Sequence, residues 1–370
     1  MVATSLDRDY YVSNDVFALE RDRIFRRNWW YVGHQSQLPA AGDYITVELL
    51  GENIIVVRDT DHSIRAFYNV CRHRGSRICT ERRGHADRFI CPYHQWSYNL
   101  DGRLIHAPQM PTGFSREPFG LKEVPAEVWN GLAFVNLSGT QAEPLTGFLD
   151  ATRSSFAIYD TSGAKIACSR VYRVRANWKL VMENFLECYH CRGSHPEFSS
   201  VFDLKRHFDF NRKRMNGESM ALFSLLKPGA RSLTMNGDYV VSKLFPERET
   251  NGSAEANPVR SSDYRGGAVS LSAMTAFPDY AITFVFLPVD VAHTEIRCDW
   301  LVAGDAQEGA DYDPDEVAAL WDVTNKQDWH LCENNQLGVQ SLSYEPGPHS
   351  TIGEPYIAEF LDSYVTLIRQ

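Results

Sequence analysis

Two short clusters of metal-binding side chains, Cys71-Arg-His73 and Cys91-Pro-Tyr-His94, stand seventeen residues apart, and each offers one thiolate and one imidazole. Two short loops of this kind can clamp a metal group from opposite sides. Gly75 and Pro92 suit them, since Gly allows positive φ and Pro stiffens a turn that aims backbone N–H groups at sulfur. Two metal sites use these four residue types. One is a tetrahedral Cys2His2 zinc site; the other is a Rieske [2Fe–2S] cluster, in which thiolates hold one iron and neutral imidazoles the other. Zinc patterns usually keep both Cys on one side and both His on the other. Here each half is mixed, which favours the cluster and an electron-transfer role.

A second constellation follows about a hundred residues on. The run Asn177-Trp-Lys-Leu-Val-Met-Glu183-Asn184-Phe-Leu-Glu187-Cys-Tyr-His190 reads as one helix, with Glu187 and His190 at i and i+3 on one face. Gly193 can cap its end, and Pro196 disfavours helical geometry at His195, so His195 can fold back toward His190. Two His need a third ligand, and a carboxylate completes the facial triad of non-haem Fe(II) oxygenases. Asp328 is the candidate. Its helix is announced by Asp313-Pro314-Asp315-Glu316, an N-cap acid followed by Pro and further acids at the positive dipole end. Asp328 interrupts a core-facing stripe of Val317, Trp321, Thr324 and Leu331, where an unpaired carboxylate needs a cation, a metal or a proton. A buried salt bridge is the plain alternative.

Together these motifs make the chain resemble the α subunit of a Rieske non-haem iron oxygenase over nearly its whole length. The resemblance implies Cys71, His73, Cys91 and His94 on the cluster and His190, His195 and Asp328 on a mononuclear Fe(II). It also implies that Glu187, in a position often held by Asp, bridges His190 to a cluster His of the neighbouring subunit in a ring-shaped homotrimer, so that His94 of one subunit meets Glu187 of the next. Ser76 and Tyr93 stand where respiratory Rieske proteins carry an extra disulfide. With Gln95-Trp96 after the last ligand, the strong donors to the cluster are expected to be absent and its potential low, about −150 mV.

The composition fits. With 37 Lys and Arg against 47 Asp and Glu, the net charge is −10, which argues against nucleic acid or an anionic membrane. The resemblance implies an NAD(P)H-linked reductase as electron donor, expected to present a complementary basic patch. No apolar run reaches spanning length, and residues 1–9 lack an apolar signal core, so cytoplasm is the expected compartment. Cys79, Cys168, Cys188, Cys191, Cys298 and Cys332 are expected as free thiols there.

The fold class expected is α+β. Residues 40–140 read as a small β-rich domain carrying the cluster, with alternating runs at 43–49 and 53–58 and a hairpin signal at Asn99-Leu-Asp101-Gly102. Residues 1–39 and 141–370 read as the catalytic domain, with a helical stretch near 16–30 and strands at 169–176, 280–288 and 294–303. The resemblance implies a curved antiparallel sheet around a long helix, the helix-grip or START-like arrangement. The Gly-, Ser- and Asn-rich stretch 236–272 reads as a mobile loop.

The C-terminal run from Cys332 to Pro348 and Glu187-Cys-Tyr-His190-Cys are similar to the branch of glycine betaine monooxygenase, stachydrine demethylase and carnitine oxygenase. By that resemblance the substrate is a small quaternary ammonium compound that loses an N-methyl group as formaldehyde. Such a pocket needs aromatic faces around a cation, with Tyr189, Phe198, Phe202, Phe277 and Tyr280 as candidates. The alternatives are a ring-hydroxylating dioxygenase acting on an aromatic acid and, from another class, an electron carrier or zinc-stabilised binding protein.

Overall fold

The computed structural model describes residues 4–149, 159–215, 225–247, 262–265 and 269–369. They form two compact units, one spanning Arg26–Gly147 and the other Met1–Phe25 with Phe148–Gln370.

The smaller unit is built from antiparallel strands. Strands β2 (Asp43–Leu49), β3 (Glu52–Arg58) and β4 (Ile64–Tyr68) form the middle of a five-stranded sheet, with β5 (Arg83–His85) and β9 (Glu123–Val124) at its edges. β6 (Phe89–Ile90), β7 (Ser97–Tyr98) and β8 (Leu104–His106) make a second sheet. The β7–β8 hairpin turns at Asn99–Gly102, where Gly102 N–H bonds Asn99 O and Gly102 takes φ 83°, a conformation that favours Gly. Ile55, Val57, Phe67, Phe89, Trp96, Tyr98 and Leu104 fill the core between them, together with Cys71 and Cys91. The unit begins at Arg26 rather than near residue 40 because β1 (Trp29–His34) pairs with β11 (Leu132–Asn136), which also carries β10 (Ala126–Trp129). For the same reason the N-terminal helical stretch stops short of Trp30. Helices occupy Asp9–Val12 and Asn14–Arg23, and Trp29 already belongs to β1.

The larger unit holds one antiparallel sheet in the order β12 (Ala164–Val174), β16 (His293–Ala303), β15 (Ala281–Asp290), β14 (Ser272–Ala276), β13 (Ser262–Arg265). The helix Pro314–Val339 packs on β12 and on the helix Trp178–Phe185. Asp313 caps it by accepting the Asp315 N–H at 2.8 Å, with Pro314 in the first turn. Asn177 does the same for the helix Trp178–Phe185, accepting from Lys179 N–H, while its amide donates to the carbonyls of Tyr11 and Val291. These bonds anchor the start of the segment that carries the second metal motif.

Within the stretch 236–272, Ser262–Arg265 is a strand paired with β14, so the loop expectation does not hold there. Residues 248–261 and 266–268 lie outside the described residues. Among the described residues no helix is long and apolar enough to cross a membrane.

Candidate metal centres

The two cluster loops are congruent in their backbone bonding. Cys71 N–H bonds Ser76 O and Gly75 N–H bonds Cys71 O; twenty residues on, Cys91 N–H bonds Trp96 O and Gln95 N–H bonds Cys91 O, all at 2.8–3.0 Å. Both loops turn on a residue of positive φ, Gly75 at 79° and Gln95 at 61°. The second loop therefore takes without glycine the turn that the first takes with it. Both Cys are buried, and the rings of His73 and His94 sit edge to face with centroids 4.6 Å apart. His94 Nδ1 is buried and has no hydrogen-bond partner, an orphan that a metal ligand bond explains. Trp96 stacks on His73 at 4.9 Å and Tyr93 on His94 at 3.8 Å, with Arg74 over the Tyr93 face. The four side chains and the orphan nitrogen fit a [2Fe–2S] group.

One expectation is corrected here. A donor to the cluster sulfur is present: Tyr98 Oη lies 3.3 Å from Cys71 Sγ and accepts the Arg72 N–H at 3.0 Å, which leaves its own proton for the sulfur. Six residues lie between Cys91 and Tyr98, which places Tyr98 beyond the Gln95-Trp96 pair.

In the larger unit, His190 Nε2, His195 Nε2 and Asp328 Oδ1 lie 3.0, 3.0 and 2.9 Å from one another. That is close to the edge, about 3.0 Å, of an octahedron with ligand distances of about 2.1 Å, so the three atoms form one octahedral face. Their tautomers are set from behind. His190 Nδ1–H donates to Glu187 Oε1 and His195 Nδ1–H donates to Gln327 Oε1 at 2.8 Å, which leaves both Nε2 lone pairs facing Asp328. Gln327 is in turn oriented by its amide donating to Glu197 at 3.0 Å. Three converging acceptors repel unless a cation stands between them. In the metal-free chain a proton answers: burial opposes charge on His190, but Asp328 and Glu187 outweigh it and push its pKa up to about 9. Burial also opposes charge on Asp328, yet the two imidazoles hold its carboxyl below the usual range.

The path of the chain through this site differs from a continuous helix. The helix ends at Phe185, because Glu187 Oε2 accepts the Tyr189 N–H that a continuing helix would send back to Phe185 O. Glu187 and His190 meet across a turn. A single turn, Cys191–Ser194, places Gly193 inside it rather than at a cap, and His195 then stands before Pro196 in a non-helical conformation, φ −126° and ψ 76°. Cys188 and Cys191, expected as thiols, are joined in a disulfide across Cα atoms 4.9 Å apart. Cys191 lies near His190 and His195, but its sulfur is spent in that bond, which leaves Asp328 as the candidate third ligand. The remaining expected thiols are free.

A cavity of about 160 Å³ opens beside the triad, walled by Phe185, Phe198, Phe202, Phe277, Trp321 and Tyr356. Of the aromatic candidates, Phe198, Phe202 and Phe277 line it. Tyr189 is exposed, and Tyr280 is buried elsewhere, accepting from Trp321 Nε1 at 2.9 Å. Phe185, Trp321 and Tyr356 were not singled out from sequence, although Trp321 lies on the stripe that contains Asp328. Gln327 and Glu197 neighbour ligands in the chain and carry no pattern of their own.

Residues 164–370 match the ring hydroxylating alpha subunit catalytic domain, and residues 28–125 match the Rieske [2Fe-2S] domain. The chain belongs to the Rieske non-haem iron oxygenase α subunits. It is an oxidoreductase of that family, whose centres are a Rieske [2Fe–2S] cluster and a mononuclear iron. It is 36% identical to the glycine betaine monooxygenase oxygenase subunit of Chromohalobacter salexigens, covering 97% of this chain and 85% of the relative. The carnitine monooxygenase oxygenase subunit of Escherichia coli is 33% identical over 62% of this chain and 61% of its own length. Among solved structures, a quaternary ammonium Rieske monooxygenase superposes with a TM-score of 0.76 at 24% identity, covering 99% of this chain and 96% of that one. Naphthalene 1,2-dioxygenase superposes at 0.66 with 20% identity, covering 99% and 92%. At those identities the likeness is one of fold.

Proposed function

We propose that this Rieske oxygenase hydroxylates an N-methyl group of a small quaternary ammonium compound of the glycine betaine, proline betaine or carnitine type. The observation that carries the reading is the cavity wall: six aromatic rings and, among the described lining residues, no Lys or Arg. Aromatic faces attract a quaternary ammonium, which has no N–H to satisfy, and a basic residue there would repel it. The glycine betaine and carnitine relatives agree with this chemistry.

When bound, the cluster supplies electrons singly and the iron supplies dioxygen activation. The chain's own residues do the rest. His190, His195 and Asp328 would hold the iron, a ligand set of the kind non-haem Fe(II) oxygenases use. Phe198, Phe202 and Trp321 exclude water and hold the ammonium so that one methyl faces the triad. The N-hydroxymethyl product then releases formaldehyde, a tertiary amine and a proton. Glu187, on the far side of His190, fixes that ring, and by the family resemblance it would meet His94 of the partner subunit. Because His94 Nδ1 is the buried nitrogen, Nε2 is free for that contact. A homotrimer is the assembly this pairing fits, and cytoplasm, where NAD(P)H feeds the reductase, the compartment.

The donor itself is a separate reductase. The cluster unit holds 13 Lys and Arg against 12 Asp and Glu, leaving 24 against 35, a charge of −11, on the other unit. A basic patch on the reductase is therefore not required for docking near the cluster.

The test is turnover of the iron-replete protein with a competent reductase on betaines, carnitine and an aromatic acid panel. Formaldehyde equal to dioxygen consumed with a betaine supports the proposal. Both atoms of labelled dioxygen entering an aromatic acid would establish the ring-dioxygenase alternative instead.

A further inference from the structure

Oxygen insertion consumes protons as well as electrons: R–H + O2 + 2 e⁻ + 2 H⁺ → R–OH + H2O, with the electrons supplied through the reductase. The cavity proposed to receive substrate is walled mainly by aromatic rings, with His207 among its other lining residues. A second cavity, of about 420 Å³, lies against the same centre and is lined by Glu183, Glu187, His190, His349 and Glu354. The two cavities share Asn184, Glu187 and His190, so the loop bearing the iron ligand is the partition between an apolar chamber and a polar one. The polar chamber has room for on the order of ten waters.

Glu183, like His349 and Glu354, lines that chamber and is not used by the site chemistry. It is buried, 8% exposed, on the helix Trp178–Phe185, and its carboxylate accepts the Tyr11 hydroxyl at 2.8 Å. The nearby ammonium of Lys179 does not pair with it: Lys179 donates to Glu20, which also accepts from Trp178 Nε1 and Tyr364, and the rings of Tyr11, Trp178 and Tyr364 surround the ammonium. Glu183 is thus the surplus acid of a buried cluster in which one cation already has its anion. A buried carboxyl without a cation is costly unless it carries a proton.

We propose that Glu183 is the proton donor-acceptor that feeds the iron site through the polar chamber. Its protonation state suits the task, since burial pushes its pKa up to about 7, against smaller opposing contributions from Tyr11 and Lys179 and with Glu354 adding to the rise. The other titratable groups facing it are His349, which burial lowers, and Cys332 and Tyr344, whose pKa values burial raises. Glu354 is engaged by Ser350 N–H and His349 by Ser5. The inference rests on the oxygenase reaction, not on which amine is the substrate.

The test is Glu183→Gln in the iron-replete enzyme, since the amide oxygen can still accept from Tyr11. Iron content, the cluster spectrum and the rate of cluster reduction should match the parent. Product formation should fall on the order of 100-fold, with dioxygen diverted to peroxide and the pH limb near 7 lost. Independently of turnover, the infrared band of a protonated carboxyl titrating near pH 7 should vanish in the variant. Tyr11→Phe removes a bond that favours the carboxylate, so it should move both the limb and the band to higher pH. Product per dioxygen and a pH profile unchanged in Glu183→Gln would overturn the proposal and leave Glu183 as a packing partner of Tyr11. If Glu183→Gln does not fold, a limb that stays put in Tyr11→Phe while the infrared band moves has the same meaning. If no quaternary ammonium compound is turned over, the substrate proposal fails while the infrared titration and the fate of dioxygen with any accepted substrate still decide this one.

Discussion

The two metal centres of this protein are built in opposite ways. The cluster ligands lie within 24 consecutive residues, on two loops that repeat one hydrogen-bond scheme, and their core partners belong to the same small unit. The iron ligands are 138 positions apart at their extremes, and the distance between them is set by a helix packing against the sheet and against another helix. A local site keeps its geometry as long as its loops fold. A dispersed site depends on every element between its ligands, so it fails in larger steps when one contact is removed.

The sharpest test of that contrast is Asp328→Ala. Removing the carboxylate takes one corner of the triad and leaves two neutral imidazoles facing the metal position, and iron binding with turnover should fall by more than about 100-fold. The cluster spectrum should be unchanged, because no cluster ligand belongs to that unit. Loss of the cluster signal in the purified variant would show that the two centres are not independent. Next in size is Gln327→Leu. It removes the acceptor for His195 Nδ1 and frees the ring to turn or change tautomer, at an expected cost of about 10- to 100-fold in iron affinity, read by chelator competition. Gln327→Glu keeps an acceptor and should lose far less. Equal losses in both variants would mean that packing, not the bond to His195, orients the ring.

The same contrast explains what could be read from sequence. The cluster motif is legible because its chemistry and its spacing are both local, and so is the cap at Asp313 that announces the long helix. Asp328 is legible as an acid on an apolar stripe, but pairing it with His190 and His195 requires the tertiary fold or a resemblance. The end of the helix at Phe185 was hidden, since Glu187 competes with the backbone for one N–H, and helical periodicity does not register such a bond. Gln95 at positive φ gives no signal because that conformation is expected of Gly. The Cys188–Cys191 bond was missed by arguing from compartment, although three-residue spacing in a turn brings their Cα atoms within reach. Tyr98 gives no signal because it stands on β7, and its bond to Cys71 depends on how that strand packs against the first loop.

A smaller effect is expected at Glu187, the proposed joint between the centres. Glu187→Gln keeps an acceptor for His190 Nδ1 and so should retain iron, but it replaces a charge-assisted bond with a neutral one on the proposed path toward the partner subunit. Oxidation of the reduced cluster in a single turnover should slow about 10-fold. An unchanged rate would remove Glu187 from the path and confine it to orienting His190.

The smallest predicted change is the one that probes the local site alone. Reducing the cluster adds negative charge to its sulfurs, so a donor bonded to Cys71 Sγ stabilises the reduced form more than the oxidised one. If Tyr98 O–H contributes about 1 kcal/mol of that difference, Tyr98→Phe should lower the midpoint by about 40 mV for a one-electron couple. The wild-type potential should accordingly lie above the value of about −150 mV expected for a cluster without strong donors. The substitution also leaves Arg72 N–H without its acceptor, so a fall in stability is expected alongside. Redox titration separates the two consequences: a potential that does not move, in a protein that is less stable, would assign Tyr98 to holding the backbone of the first loop and return its proton to some acceptor other than sulfur.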